Sequence, residues 1–182
     1  MSEVLGLPTI YIENPGKVLK GAFLSDEDYG KAIAALPPVC ADAVIINKTR
    51  RSIYLAPRIS HPAPGWWVIG GRVKFEQSIP QGIVSNFKRE TTLDLPFERF
   101  TYLCANHYFW ATRAQEPMDF GTVVIAYAFT VELSDEELKR VSGNLEKQEY
   151  RGKLREFFSL QDLAETGARP PLIDMYKQVF GG

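Results

Sequence analysis

Apolar positions along the chain switch between helical and strand spacing, and the switches mark out its elements. Ser25 opens a helix, with Asp26, Glu27 and Asp28 favouring its positive end. Tyr29, Ile33 and Leu36 give it an apolar stripe, and Pro37 and Pro38 stop it. Ala43–Ile46 and Ser52–Leu55 read as strands around a hairpin turn at Asn47–Arg51. Trp66–Ile69 is a further short apolar run that ends on a Gly70-Gly71 turn. Ser78 is an N-cap for a helix over 79–91, where Pro80 is tolerated in the first turn and Ile83 and Phe87 form the buried stripe. Leu103–Trp110 and Thr122–Leu133 are strands, the second rich in β-branched and aromatic residues. Ser134 to Glu137 is a capping box that starts a short helix. Phe157-Phe158 forms a last strand, and Pro170-Pro171 precedes a closing helix, Leu172–Phe180. Residues 1–20 read as an N-terminal extension, with an edge strand at Thr9–Ile12 and a turn at Asn14-Pro15-Gly16. The irregular alternation predicts one α/β domain over 21–182, a mixed sheet covered by helices on both sides.

Composition adds little to that picture but removes several functions. The 182 residues are 45% hydrophobic and 24% charged, as ordinary globular domains are. With 21 basic and 22 acidic residues, no global field recruits nucleic acid or an anionic membrane. Phosphate recognition must then come from local groups. Cys40 and Cys104 are far apart and lack a CxxC partner, so they read as buried thiols of a reducing compartment. The N-terminal residues have no basic start followed by an apolar core, and no run approaches a membrane span. The expected location is the cytoplasm.

The chemistry concentrates in residues 64–95, where a strand, a pair of glycines and an amphipathic helix follow one another. Glycines allow the backbone to come close to a ligand. A helix can aim carboxylates spaced i, i+3 and i+4 from one face at a metal.

This segment resembles the Nudix box: Gly, five residues, Glu, seven residues, then Arg-Glu-apolar-any-Glu-Glu-any-Gly-apolar. Set on Gly71 without gaps, the chain keeps Gly71, Phe87, Glu90 and Leu93, and departs at Gln77, Ser85, Asn86, Arg89 and Thr92. The flanking runs at 55–75 and 119–129 look like the GDP-mannose mannosyl hydrolase branch, which is also known for a reduced box. The resemblance implies a Nudix-type α/β/α sandwich with a central mixed sheet. It also implies a hydrolase acting on a nucleoside diphosphate linked to another group, a nucleotide sugar above all. The alternative is an inactive Nudix-fold module that binds nucleotide or regulates.

Residue chemistry weakens the metal site. Asn86, Arg89 and Glu90 sum to zero formal charge where three carboxylates would give minus three. Mg²⁺ prefers hard oxygen ligands but often needs only one or two carboxylates when substrate phosphates complete its shell. A single, weak, substrate-dependent Mg²⁺ is expected, held by Glu90 with the carbonyl of Gly71.

The remaining candidates follow from the resemblance and from residue type. Arg58, at the end of a strand, and Arg72, beside the glycines, would hold the diphosphate. Arg89 would act as a fixed cation in place of metal charge, since guanidinium forks suit phosphate oxygens. Asp42 stands where the mannosyl hydrolase branch carries a functional Asp. That branch also uses a Gln-His pair before its last strand; here Gln148 is followed by Glu149, which would stand in as a base. His107 would line the pocket, and Trp67 would stack a base or sugar. The expected partner is a small nucleotide or nucleotide sugar, with no nucleic acid and no membrane, and a homodimer left open.

Overall fold

Ser25 starts the first helix as its sequence requires, accepting the Asp28 amide at 3.1 Å at the head of α1 (Asp26–Ala35). The computed structural model describes residues 7, 8, 10, 11 and 20–181. Thr9, Ile12 and the Asn14–Gly16 turn lie outside them, and Ile10 and Tyr11 belong to no strand. In α1, Ile33 is buried and Tyr29 half-buried, but Leu36 is exposed. Leu36 is the C-cap, in extended conformation, so the chain has left the helical path before that position can pack.

The central strand is β1 (Val39–Asn47), longer than its apolar run because both of its edges are paired. On one edge it runs parallel to β6 (Thr122–Glu132), which pairs antiparallel with β5 (Thr101–Trp110). The other edge is shared. β2 (Ser52–Arg58) pairs with the end of β1, Ile45 opposite Tyr54 and Asn47 opposite Ser52. β4 (Ile69–Arg72) pairs with its beginning, Asp42 opposite Gly70 and Ala41 opposite Gly71. The apolar run at Trp66–Ile69 is therefore two strands rather than one. β3 (Gly65–Trp67) stays with β2, and after Val68 the chain crosses to β1. The sheet forks there. With β7 (Arg155–Phe157) on the far edge of β2, the mixed sheet has seven strands among the described residues.

Gly70 and Gly71 are thus inside a strand, not in a turn. Close approach explains the first: a Cβ on Gly70 would overlap Asp42 Oδ1 and stand 2.6 Å from the Ala41 carbonyl. β4 leads to α2 (Ile79–Thr91), which begins with a reciprocal Ser78–Gln81 capping box and carries Pro80 in its first turn.

Helices flank both faces. α2 and α3 (Asp135–Gly143), the latter opened by the Ser134–Glu137 box, cover a core that includes Ile45, Ile69, Ile83, Phe87, Phe129 and Val141. α4 (Leu160–Glu165) and α5 (Pro170–Phe180) cover the other, which includes Val44, Leu55, Phe157, Leu163, Leu172 and Met175. β1 alternates between the two cores, which is why it reads as a continuous apolar run. α4 has no counterpart among the elements expected from sequence, and Pro170 and Pro171 form the first turn of α5 rather than preceding it. Among the described residues no helix is long and apolar enough to cross a membrane.

Candidate functional site

The fork leaves a cleft of about 300 Å³, bounded by the start of β1, the end of β2, β4, α2 and the ends of β5 and β6. Asp42, Arg58, Arg72, Arg89, Glu90 and Glu149 all line it. Three arginines, Arg58, Arg72 and Arg89, share the lining with three carboxyl groups, and Arg72 and about half of Arg89 remain exposed.

Glu90 sits at the inner end and is 1% exposed. Its Oε1 accepts a hydrogen bond from Arg89 Nη2 at 2.6 Å, and its Oε2 accepts one from the Tyr150 hydroxyl. Burial pushes its carboxyl above the ordinary range, against the opposite pull of Tyr150 and Arg89. Tyr150 arrives from 60 residues away because the Glu146 amide donates to the Glu90 carbonyl at 2.9 Å, tying the turn before β7 to α2. Asn86, one turn earlier, is also buried. Its amide donates to the Gly71 carbonyl at 2.7 Å and reaches the Ala41 carbonyl at 3.5 Å.

These contacts test whether the residues suit a resident Mg²⁺, and they do not. The Gly71 oxygen already accepts the Asn86 amide, and both Glu90 oxygens are taken by protein donors. The Arg89 guanidinium covers the carboxylate a metal would need. A hard cation would have to displace a like charge and dehydrate for one carboxylate. Among the described residues no group of three or more His, Cys, Asp or Glu side chains is placed to hold a metal ion.

Asp42 is the carboxyl most altered by its surroundings. It projects from β1 opposite Gly70 and is 6% exposed. Burial raises its pKa to about 7, with Arg58 pulling it down and Glu90 adding to the rise. A carboxyl in that range exchanges protons near neutrality.

Arg58, at the end of β2, is half-buried. Its Nε donates to Ser60 Oγ at 2.8 Å and its Nη2 to Glu149 Oε2 at 3.2 Å. Ser60 donates to the same Glu149 oxygen. The segment carrying Glu149 is pinned by the Ile59 amide, which donates to the Glu149 carbonyl at 2.8 Å. Arg72 is exposed at the end of β4, its guanidinium 3.8 Å from the centre of the Tyr29 ring, so α1 forms that side of the mouth.

Trp67 is buried in the wall, edge-to-face with Tyr108 at 5.8 Å and Trp110 at 5.5 Å, and offers no open face for stacking. His107 does not line the cleft, contrary to expectation. Strand alternation turns Tyr108 and Trp110 inward, and leaves His107 exposed beside Phe109 on the outer face of β5.

Tyr150, Ser60, Tyr108, Trp110 and Arg113 were not singled out by sequence. For Tyr108 and Trp110 the signal was available, because the period of two in β5 assigns them one face. Arg113 is 2% exposed and donates to the carbonyls of Gly30, Gln115, Glu116 and Pro117 at 3.0–3.1 Å, holding that loop to α1. Nothing local announces such a role.

No family model matches the chain. Solved structures match over most of its length. A MutT NUDIX hydrolase from Burkholderia pseudomallei aligns at 22% identity and a TM-score of 0.59, over 79% of this chain and 98% of that one. A NUDIX hydrolase from Nitrosomonas europaea aligns at 19% and 0.56, over 79% and 88%. The C. elegans Ap4A hydrolase aligns at 13% and 0.50, over 79% and 96%. The chain has the α/β Nudix fold, with a mixed central sheet flanked by helices.

Proposed function

We propose that the cleft binds a nucleoside diphosphate linked to another group, a nucleotide sugar in the first instance, and hydrolyses it with guanidinium groups doing what metal charge does in a complete Nudix box. The observation that carries this reading is the convergence of Arg58, Arg72 and Arg89 on one cleft beside a buried carboxyl with a pKa of about 7. Arginine forks suit phosphate oxygens and keep their charge at every working pH. Asp42 is the base in this scheme. It takes a proton from the attacking water, and the arginines hold the charge of the diphosphate as its bond to the linked group breaks. Glu149 is the weaker candidate, because Arg58 and Ser60 already occupy its Oε2. Any Mg²⁺ would come with the substrate's phosphates, since the described residues offer no open ligand set. The nucleotide-sugar class rests on the resemblance of residues 55–75 and 119–129 to the mannosyl hydrolase branch.

A second reading, a binding or regulatory module, draws on a separate observation: Glu90, the carboxylate retained in the box, is closed off by Tyr150 and Arg89. Thermal unfolding against nucleoside diphosphates and nucleotide sugars, followed by chromatography of the same mixtures in chelator, separates the two. Stabilisation by ligand together with product formation supports the hydrolase. Stabilisation with intact ligand supports the module, and no stabilisation by any of them contradicts both.

A further inference from the structure

Two hydroxyl groups in the cleft wall lack a partner. Tyr108 is 8% exposed, and neither its hydroxyl nor that of Thr122 makes a hydrogen bond among the described residues, although both oxygens are buried. The pair is not scattered. Trp110 lies opposite Thr122, and Tyr108 lies opposite Val124, so all four side chains project from one face of the β5–β6 ladder and line the cleft. The polar side chain next to them, Asn106, directs its amide to the Cys104 sulfur at 3.5 Å; it stands close enough to the Tyr108 hydroxyl to favour the phenolate, but without the geometry of a hydrogen bond.

Buried polar groups without partners are uncommon and cost stability, so two on one cleft wall need a cause. We propose that Tyr108 and Thr122 form a subsite for the hydroxyl-bearing sugar part of the ligand, beside the arginines that would take its diphosphate; this rests on the reading of the cleft as a nucleotide-sugar site. Three features favour a neutral hydroxyl over an anion. Burial pushes the Tyr108 phenol well above its ordinary range, with Asp42 adding to the rise, so it stays a donor. An anion placed there would face the Asp42 carboxyl, which lines the same cleft and acts on the Tyr108 phenol. The wall is aromatic, with Trp110 5.3 Å from Tyr108, and aromatic rings accept the apolar face of a sugar ring.

The test uses the whole protein and the matched pairs GDP and GDP-mannose, ADP and ADP-ribose, and UDP and UDP-glucose. Titration calorimetry compares wild type with Tyr108→Phe and Thr122→Val, which keep shape and remove only hydroxyls. For a pair that binds, each variant should lose roughly two- to thirteenfold in affinity for the sugar-bearing compound, the worth of one neutral hydrogen bond. Affinity for the bare diphosphate should not change. Without ligand, Tyr108→Phe should melt at or above the wild-type temperature, because the hydroxyl it removes has no partner. A clear fall in melting temperature would show that the hydroxyl is bonded within the fold, and would overturn the subsite. So would equal losses for both members of a pair, or no loss for either. Wild type that binds no compound of the panel overturns the nucleotide-sugar reading itself, and the subsite with it.

Discussion

Arg89 and Glu90, consecutive residues of α2, close on each other with Nη2 2.6 Å from Oε1, and about half of the Arg89 side chain remains exposed while that of Glu90 is buried. The helix therefore turns a cation toward the cleft where a metal-binding box would turn a carboxylate. Titration calorimetry of the ligand-free protein should detect only weak Mg²⁺ binding, in the millimolar range or above. Arg89→Ala, which uncovers Glu90 Oε1, should tighten it. Tight binding by the wild type would mean that the pair opens readily and that the site accepts metal after all.

Arg58 joins β2 to the segment carrying Glu149, and its guanidinium lines the cleft. Arg58→Ala should weaken nucleotide binding by about 1.5–3 kcal/mol, the range for hydrogen bonds to charged groups. It should also cost about 0.5–1 kcal/mol of stability, because the pair it breaks is partly shielded from water. Denaturant unfolding and ligand titration of the one variant measure both quantities. Lost stability with unchanged binding would make the residue structural only.

Asp42 sets an expected pH dependence. Its carboxyl titrates near 7 in the folded protein against an ordinary value of 3.8, so between these the folded state holds a proton that the unfolded chain releases. The contribution to stability is intact below 3.8 and is lost as pH rises through 7. Wild type should therefore be less stable at pH 8 than at pH 5. Asp42→Asn, which cannot ionise, should flatten that slope and be the more stable of the two proteins at pH 8. In the hydrolase reading turnover rises through pH 7 as Asp42 ionises, and Asp42→Asn should cost roughly 10²–10⁴ in rate. Parallel melting curves for the two proteins from pH 5 to 8 would contradict the burial argument.

Gly70 owes its identity to the chain opposite. In Gly70→Ala the new methyl would overlap Asp42 Oδ1 and press on the Ala41 carbonyl, backbone that cannot swing away. Overpacking of this kind costs about 1–3 kcal/mol. Denaturant unfolding should show a loss of that size, with the Asp42 titration displaced from 7. An unchanged midpoint would mean that β1 and β4 sit farther apart.

Much of the fold was legible because its signals are local. The helix over 79–91 follows from the Ser78 cap, the early proline and the Ile83–Phe87 stripe, and the structure places it at Ile79–Thr91. The fork was not legible. Whether Trp66–Ile69 is one strand or two depends on β1 having an edge free for β4 before Ile45, which is a property of strand pairing rather than of the run itself. The same limit applies to the site. Positions 86, 89 and 90 share a region of the helix by spacing alone, but that Asn86 spends its amide on Gly71 and that Tyr150 caps Glu90 depends on contacts 15 and 60 residues apart in sequence. His107 differs for a simpler reason: the period of two in β5 gives the inward face to Tyr108 and Trp110, and so the outer face to the residue between Asn106 and Tyr108.

The exchange of metal charge for guanidinium charge is tested most directly by titrating a binding nucleoside diphosphate into wild type and Arg89→Ala, with excess chelator present. Wild type should bind as well in chelator as in Mg²⁺, and Arg89→Ala should lose about 1.5–3 kcal/mol of that metal-free binding. Nucleotide binding that vanishes in chelator, and that is the same with or without Arg89 once Mg²⁺ is restored, would contradict it.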